Sequence, residues 1–169
     1  MTSRFGEPEP LIPDHILDGF DCGTASLNSW LLEHARQATA GGSARTYVVV
    51  DAEQGRVVGY HALVAAAVAP ADATARARRG QPRHPIPAVL IARLAVDLTV
   101  QRRGIGALLL RDATLRAVSA SEQIGARLLL VHALHDEARR FYLRWGFEPS
   151  PTDPLNLQLL FKDIRASLE

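Results

Sequence analysis

Apolar residues recur at helical spacing from Leu27 through Trp30, Leu31, His34, Ala35 and Ala38, with Asn28, Glu33, Arg36 and Gln37 on the opposite side. That spacing predicts an amphipathic helix, ended by Ala40-Gly41-Gly42-Ser43. Ahead of it, Met1 to Leu17 is proline-rich and expected to be extended, and Phe20-Asp21-Cys22-Gly23-Thr24 reads as the turn into the helix. The pattern then changes. Arg45-Thr46-Tyr47-Val48-Val49-Val50 is dense in β-forming residues and predicts a strand. Glu53-Gln54-Gly55-Arg56 predicts a turn and Val57 to Ala69 a second, longer strand, so the two should pair as a hairpin.

Pro70 to Pro87 breaks this pattern, although its alanine-rich start has room for one helical turn. Further on, Val89 to Val96 predicts a strand, Gly104 to Ala120 a helix, and Arg127 to His132 a buried strand. Asp136 to Arg144 predicts a short helix with Asp136 as its N-cap. Asn156 to Phe161 predicts a last strand after the loop carrying Pro149, Pro151 and Pro154. The order is mixed rather than strictly alternating, which disfavours an all-parallel, doubly wound sheet. The expected fold is α+β: one mixed, mostly antiparallel sheet with helices on both faces. A chain of 169 residues has the size of one domain, so residues 1–169 are expected to form a single unit without repeats.

Composition narrows the classes of function. With 47% apolar residues the chain is not of the disordered type. A formal net charge of +1 means that any affinity for nucleic acid must come from local clustering. Lys162 is the only lysine, so every other strong base is an arginine. Cys22 is the only cysteine, which excludes an internal disulfide and a cysteine-based zinc site. The acidic, proline-bearing start is not a signal peptide, and no apolar run is long enough to span a bilayer. A cytoplasmic protein without membrane contact is the expectation.

The candidate chemistry lies in two short segments. Gln101-Arg102-Arg103-Gly104-Ile105-Gly106 joins the strand ending Leu94-Ala95-Val96 to the next helix. Two glycines at a strand-to-helix junction are an ordinary tight turn, or they let backbone N–H groups surround an anion. A helix start adds unsatisfied donors and partial positive charge, and Arg102 and Arg103 add two guanidinium forks. A diphosphate would suit such a site. The dinucleotide fingerprint is excluded because a third glycine and the following acidic residue are missing, and there is no GxxxxGK[ST]. The second segment is Ala138-Arg139-Arg140-Phe141-Tyr142-Leu143-Arg144-Trp145-Gly146-Phe147. There Tyr142 is either a packing residue or a proton donor.

Together, Q-x-x-G-x-G and A-x-x-F-Y-x-x-x-G-F resemble the GCN5-related N-acetyltransferases (GNAT), over Leu94 to Phe147. The resemblance implies the GNAT fold and acetyl-coenzyme A (acetyl-CoA) as co-substrate, with no metal. Its pantetheine arm would lie along Leu94, Ala95 and Val96, and its diphosphate on Gln101, Arg102, Arg103, Gly104, Ile105 and Gly106. Tyr142 would protonate the departing thiolate; a tyrosine pKa of about 10 and a thiol pKa of about 8.5 make that transfer nearly balanced. No general base is evident, since Glu33, Glu53, Asp97, Glu122 and Glu137 have no motif support. An α-amine with a pKa of about 7.7–8.0 is partly neutral at pH 7 and can react without one. His132 and His135 stand three apart, and a metal reading would need further ligands. The family often has asparagine where His135 stands.

A narrower resemblance extends over nearly the whole chain. Phe20-Asp21-Cys22-Gly23, Leu27, Trp30-Leu31, Arg45-Thr46-Tyr47-Val48-Val49, Val58-Gly59-Tyr60, Arg93-Leu94-Ala95-Val96-Asp97, Ser121-Glu122-Gln123-Ile124-Gly125 and Ser150-Pro151-Thr152-Asp153-Pro154 are similar to the acetyltransferase toxins of bacterial toxin–antitoxin pairs. This similarity implies an acceptor, the α-amine of aminoacyl-tRNA, whose acetylation blocks translation. It implies a ribbon-helix-helix antitoxin as partner, operator DNA bound only through that antitoxin, and a homodimer. Arg76, Arg78, Arg79 and Arg83, by themselves either a solvated loop or a phosphate-contacting surface, become expected tRNA contacts, with Arg36 and Arg45 extending the surface. Arg93, set in an apolar strand, either pairs with an acid or faces the acceptor. The alternatives are an N-acetyltransferase of a small amine or protein N-terminus, and a non-enzymatic acetyl-CoA-binding module.

Overall fold

The computed structural model describes residues 3–169. Its strands are β1 (Glu9–Pro10), β2 (Arg45–Asp51), β3 (Arg56–Val68), β4 (Ile86–Val96), β5 (Leu128–His132), β6 (Glu148–Pro149) and β7 (Asn156–Leu160). They form one sheet in the order β1-β2-β3-β4-β5-β7-β6. β4 and β5 run parallel, whereas β1–β2, β2–β3, β5–β7 and β6–β7 are antiparallel. The helices are α1 (Ala25–Ser29), α2 (Ala35–Gly41), α3 (Ala75–Arg78), α4 (Ile105–Gln123), α5 (Asp136–Arg144) and α6 (Phe161–Ser167). The architecture is the mixed, mostly antiparallel α+β sheet expected from the sequence. No helix among the described residues is long and apolar enough to cross a membrane.

Three local details differ from expectation. The first helix is not continuous, because a π turn, Trp30–His34, separates α1 from α2. The last strand stops at Leu160, and Phe161 opens α6, burying itself and Ile164. Seven residues are too few to reveal a helical period, and an apolar Phe161 after Leu159-Leu160 reads as more strand. Asp136 is the first residue of α5 rather than its cap; the N-cap is His135, whose Nδ1 accepts from the Ala138 N–H at 3.1 Å. A neutral imidazole offers one acceptor nitrogen, which can serve an orphan helix donor as a carboxylate would.

Residue contacts divide the chain into two compact units. One runs to Val64 and resumes over Ala92–Ala113. Here Gly59 and Tyr60 of β3 serve opposite faces of the sheet, while the bulge opposite Val49 and Val50 leaves Val58 on the side of Gly59. Tyr60 is fully buried with Phe20, Leu31, Ala35 and Ala95 on the side of α1 and α2. Gly59 faces α4: a Cβ there would stand 3.1 Å from both Ile105 Cγ2 and Leu109 Cδ1. Glycine therefore allows the first turns of α4 to sit directly on the strand. Val49, Val58, Val100, Ile105 and Leu109 form the core beneath that contact.

The second unit comprises Ala65–Ile91 and Thr114–Glu169. Its core gathers Val68, Ile86, Ala88, Leu128, Leu130 and Leu160 with Ala73 and Ala77 of the segment between β3 and β4. That segment is tied down through polar groups. The Gln158 side chain accepts from the Thr74 N–H at 2.9 Å and donates to the Asp72 carbonyl at 3.0 Å. The Ser150 hydroxyl donates to the same carbonyl at 2.8 Å. The Arg127 guanidinium donates to the carbonyls of Ala77, Arg76 and Arg79 at 2.6, 3.3 and 3.4 Å.

In the first unit, Asp97 is buried at the end of β4 and 1% exposed. Arg56 donates to its Oδ2 at 2.9 Å and the Asp21 N–H at 3.0 Å. The Thr99 N–H and hydroxyl donate to its Oδ1 at 2.9 and 2.7 Å. Burial by itself would raise this carboxyl, but the donors prevail and hold it at about 2. An aspartate depressed from about 3.9 contributes about 2–3 kcal/mol of stability above pH 4, lost as pH falls toward 2. Asp97→Asn should therefore lower stability by at least that amount at pH 7, and the gap to the parent should narrow between pH 4 and pH 2. Urea unfolding at pH 7 and pH 3 measures this. A gap that stays constant with pH would mean the carboxylate charge contributes nothing.

Candidate active site

The loop after β4 is organised by its own backbone. Asp97 caps a 3-10 turn, Leu98–Val100, and the Gln101 side chain donates to the Val96 carbonyl at 3.0 Å. Arg102 then adopts φ 63° and Gly104 φ 82°. Arg102 is the only non-glycine among the described residues with positive φ. Such a conformation costs roughly 1 kcal/mol or more and persists when the surroundings enforce it. The first intrahelical bond of α4 runs from the Leu108 N–H to the Gly104 carbonyl at 3.0 Å. The N–H groups preceding Leu108 thus have no intrahelical acceptor, and unsatisfied donors at a helix start suit an anion. Gln101, Arg102, Arg103 and Gly104 are exposed, Gly106 is half-buried, and Ile105 is buried as the apolar anchor of the helix start. Neither Arg102 nor Arg103 has an acidic partner among the described residues, so both guanidiniums remain available to an anion.

Leu94, Ala95 and Val96 lie in the part of β4 beyond its register with β5, which covers Ala88–Ile91. Arg93, two residues before Ala95, has no acidic partner among the described residues. Its guanidinium lies 4.8 Å from the centroid of the Trp30 ring, a cation–π contact. Trp30 in turn stacks on Tyr60 at 5.9 Å, and the Tyr60 hydroxyl donates to the Leu27 carbonyl at 2.7 Å. The π turn at Trp30–His34 is where this aromatic stack joins the helix.

Tyr142, in the second unit, is 6% exposed and lies on α5 between the rings of Phe141 and Phe147, at 5.1 and 5.7 Å. Burial alone pushes its phenol well above the usual tyrosine value. It is therefore protonated at neutral pH, and its hydroxyl has no described hydrogen-bond partner.

The arginines of the segment before β4 take different roles. Arg76 makes a paired, two-pronged contact with Asp163 of α6, at 2.7 and 2.9 Å. Arg78, Arg79 and Arg83 are exposed. In the first unit, Arg45 is exposed at the start of β2, and Arg36 donates to the carbonyls of Pro13 and His15, fastening the N-terminal segment. His132 is exposed at the end of β5, and His135 caps α5. No cluster of three or more metal-ligating side chains exists among the described residues.

Sequence reasoning passed over two residues that set this geometry. Asp97 drew notice as the end of a quoted segment and as an acid without support as a base, not as a structural centre. The signal available was Asp97-Leu98-Thr99, an Asp followed two residues later by Thr, which reads as a capped turn. Gly59 was part of a quoted motif, but its close contact with α4 is tertiary and has no local signature.

Comparison with known proteins agrees with this geometry. Residues 42–149 match the family described as Acetyltransferase (GNAT) domain. A tRNA-acetylating toxin of Mycobacterium tuberculosis is 47% identical over 164 residues, which cover 97% of each chain. A crystal structure of a tyrosine-to-phenylalanine mutant of KacT superposes with a TM-score of 0.90 at 27% identity, covering 98% of this chain and 99% of that one. AtaT complexed with acetyl-methionyl-tRNAfMet gives a TM-score of 0.89 at 29% identity, with 98% and 99% covered. AtaT has also been solved with acetyl-CoA and the C-terminus of its antitoxin AtaR, and as an AtaT–AtaR complex bound to DNA. A glycine-bearing strand-to-helix loop and a buried tyrosine on the helix after β5 are thus found in a chain that belongs to the GNAT acetyltransferase family, in its toxin group.

Proposed function

We propose that this protein is a toxin that transfers acetyl from acetyl-CoA to the α-amine of aminoacyl-tRNA and so blocks translation. The observation that carries the reading is the 47% identity with a tRNA-acetylating toxin along nearly the entire chain. The loop at the start of α4 supports it, because its unsatisfied N–H groups and free arginines suit the coenzyme diphosphate. In this reading Leu94, Ala95 and Val96 offer backbone groups to the amides of the pantetheine arm, as an added strand would receive them. Gln101 to Gly106 hold the diphosphate.

The neutral amine attacks the thioester carbonyl, the C–S bond breaks, the thiolate takes a proton from the Tyr142 hydroxyl, and the acylated nitrogen sheds its extra proton to solvent, from which the tyrosinate is reprotonated. Burial pushes the phenol up, which by itself makes it a weaker acid. A thiolate released into the same apolar surroundings is raised as well, so the near balance of the two groups is kept. Arg78, Arg79 and Arg83 carry the phosphate contacts, with Arg45 extending them, while Arg76 is partly neutralised by Asp163. The partner is a ribbon-helix-helix antitoxin, which supplies all contact with operator DNA. The toxin acts as a homodimer in the cytoplasm, where two arginine segments contribute together.

Tyr142→Phe should fold and bind acetyl-CoA as the parent does but lose about 10²–10⁴-fold in turnover, because the missing proton transfer belongs to the transition state. Mass spectrometry of charged tRNA should find an added acetyl group with the parent only. Expression of the parent without antitoxin should arrest bacterial growth, and expression of the variant should not. Equal acetylation rates would remove Tyr142 from the chemistry; acetylation of a polyamine or peptide but not of charged tRNA would overturn the toxin reading.

Replacing Arg78, Arg79 and Arg83 together by glutamine should weaken tRNA binding while leaving acetyl-CoA binding intact. Each lost phosphate contact should lower the log–log salt slope by about 0.7–0.9. An unchanged affinity and slope, measured by fluorescence anisotropy between low and moderate salt, would mean that these arginines serve solubility alone.

A further inference from the structure

The segment Phe20-Asp21-Cys22-Gly23 takes no part in the roles described above. In the fold it forms a turn against the loop from β4 to α4. The Leu98 N–H donates to the Asp21 carbonyl at 2.8 Å, and the Asp21 N–H donates back to the Asp97 carboxylate at 3.0 Å. The Gln101 side chain, bonded to Val96, also donates to the Cys22 carbonyl at 3.4 Å. Gly23 has φ 89°, and a Cβ there would stand 3.4 Å from Leu98 Cδ2. The turn thus braces both ends of the 3-10 turn Leu98–Val100, from which the chain enters the glycine-bearing loop.

Asn28 of α1 fastens this brace. Its Oδ1 accepts the Cys22 N–H at 2.8 Å, and its Nδ2 donates to Asp21 Oδ1 at 2.9 Å. Asp21 Oδ1 also accepts the Gly23 N–H at 2.8 Å. One amide therefore supplies an acceptor for a backbone group and a donor for a carboxylate, a pairing that an ionised aspartate lacks. Asn28 itself stands on a firm base. The Leu27 carbonyl beside it accepts the hydroxyl of the fully buried Tyr60 at 2.7 Å, which ties α1 to β3. Every residue on this path belongs to the first unit. Asp21 and Gly23 are exposed and Asn28 is half-buried. Bonds there add little to global stability, because water offers the same groups partners in the unfolded chain. What they fix is the place of Asp21, and with it the carbonyl that Leu98 uses and the donor that Asp97 uses.

We infer that Asn28 is a positioning residue for the coenzyme: through the Asp21–Gly23 turn it holds the loop from β4 to α4 in the shape that receives the diphosphate. The inference rests on the reading of that loop as the diphosphate site. A turn released from Asn28 lets the loop sample shapes that do not fit, and apparent affinity falls by the fraction of protein that remains competent. Once coenzyme is bound the competent shape is the populated one, so the loss falls on binding and not on turnover.

The test is calorimetry of the full chain with acetyl-CoA, together with steady-state acetylation. Asn28→Ala removes both bonds and should weaken acetyl-CoA binding by at least about five-fold, the lower end of couplings between separate positions. KM for acetyl-CoA should rise accordingly, with kcat at saturating coenzyme unchanged. Asn28→Asp keeps the acceptor for Cys22 but sets a second carboxylate against Asp21, and should show the same split. His15→Ala loosens an earlier stretch of the same N-terminal segment, where His15 Nδ1 accepts the Ile12 N–H at 3.0 Å, and should leave coenzyme affinity as it is. Parental affinity in a folded Asn28 variant, a loss confined to kcat, or an equal loss of affinity in His15→Ala would overturn the inference while leaving the coenzyme site standing. If Asn28→Ala fails to fold, Asn28→Asp decides; if neither folds, Asn28 serves stability and the inference falls. A parent that binds no acetyl-CoA would remove the reading of the loop and this inference with it.

Discussion

A single desolvated carboxylate determines where the first unit can place the loop from β4 to α4. Asp97 is buried, so its charge is tolerable only when its oxygens are saturated by donors. Those donors come from three separate stretches of chain: Asp21 before α1, Arg56 at the start of β3, and Thr99 one turn further on. Satisfying the carboxylate therefore fixes the end of β4 against the N-terminal turn and the first residue of β3 at the same time. Gln101 then bonds back to Val96, and the chain enters α4 over Gly59. The exposed loop is precise because its neighbours are not free to move without leaving a buried charge unpaired.

The second unit reaches a comparable result with two neutral side chains and one guanidinium. The segment between β3 and β4 has only a three-residue turn and the four residues of α3 as regular structure. Too short to be stable alone, it is held by Gln158, Ser150 and Arg127, which engage its backbone. The energetic logic is the same in both units: a buried or half-buried polar group is costly when unpaired, so its partners define one conformation. The arginines carried on that frame are then divided. Arg76 is committed to Asp163, whereas Arg78, Arg79 and Arg83 extend into solvent.

Tyr142 and Tyr60 illustrate how burial gives the same residue type different work. Both phenols are pushed up by desolvation. The Tyr60 hydroxyl is spent on the Leu27 carbonyl and its ring on Trp30 and Phe20, which makes it a structural post between β3 and α1. Tyr142 has ring contacts only, so its proton is not committed to the fold. The same aromatic post explains Arg93: a cation in an apolar strand is accommodated by the face of Trp30 rather than by a carboxylate.

Local pattern was sufficient for much of this. The β-forming run of β2, the hydrophobic run of β5, and the glycines of Gln101 to Gly106 each carry their information within a few residues, because strand propensity and turn conformations are local properties. The mixed strand and helix order, the strand-to-helix loop and the position of Tyr142 on a short helix were legible on those grounds. The cap of α5 at His135, the break at Trp30–His34 and the helix beginning at Phe161 were not, since each depends on one hydrogen bond or on too few residues to show a period. The partners of Asp97, the contact of Gly59 with α4 and the Arg76–Asp163 pair join residues tens of positions apart. Only tertiary structure could decide them, because burial, which makes an unpaired charge costly and a missing side chain spacious, exists only once the distant segments have met.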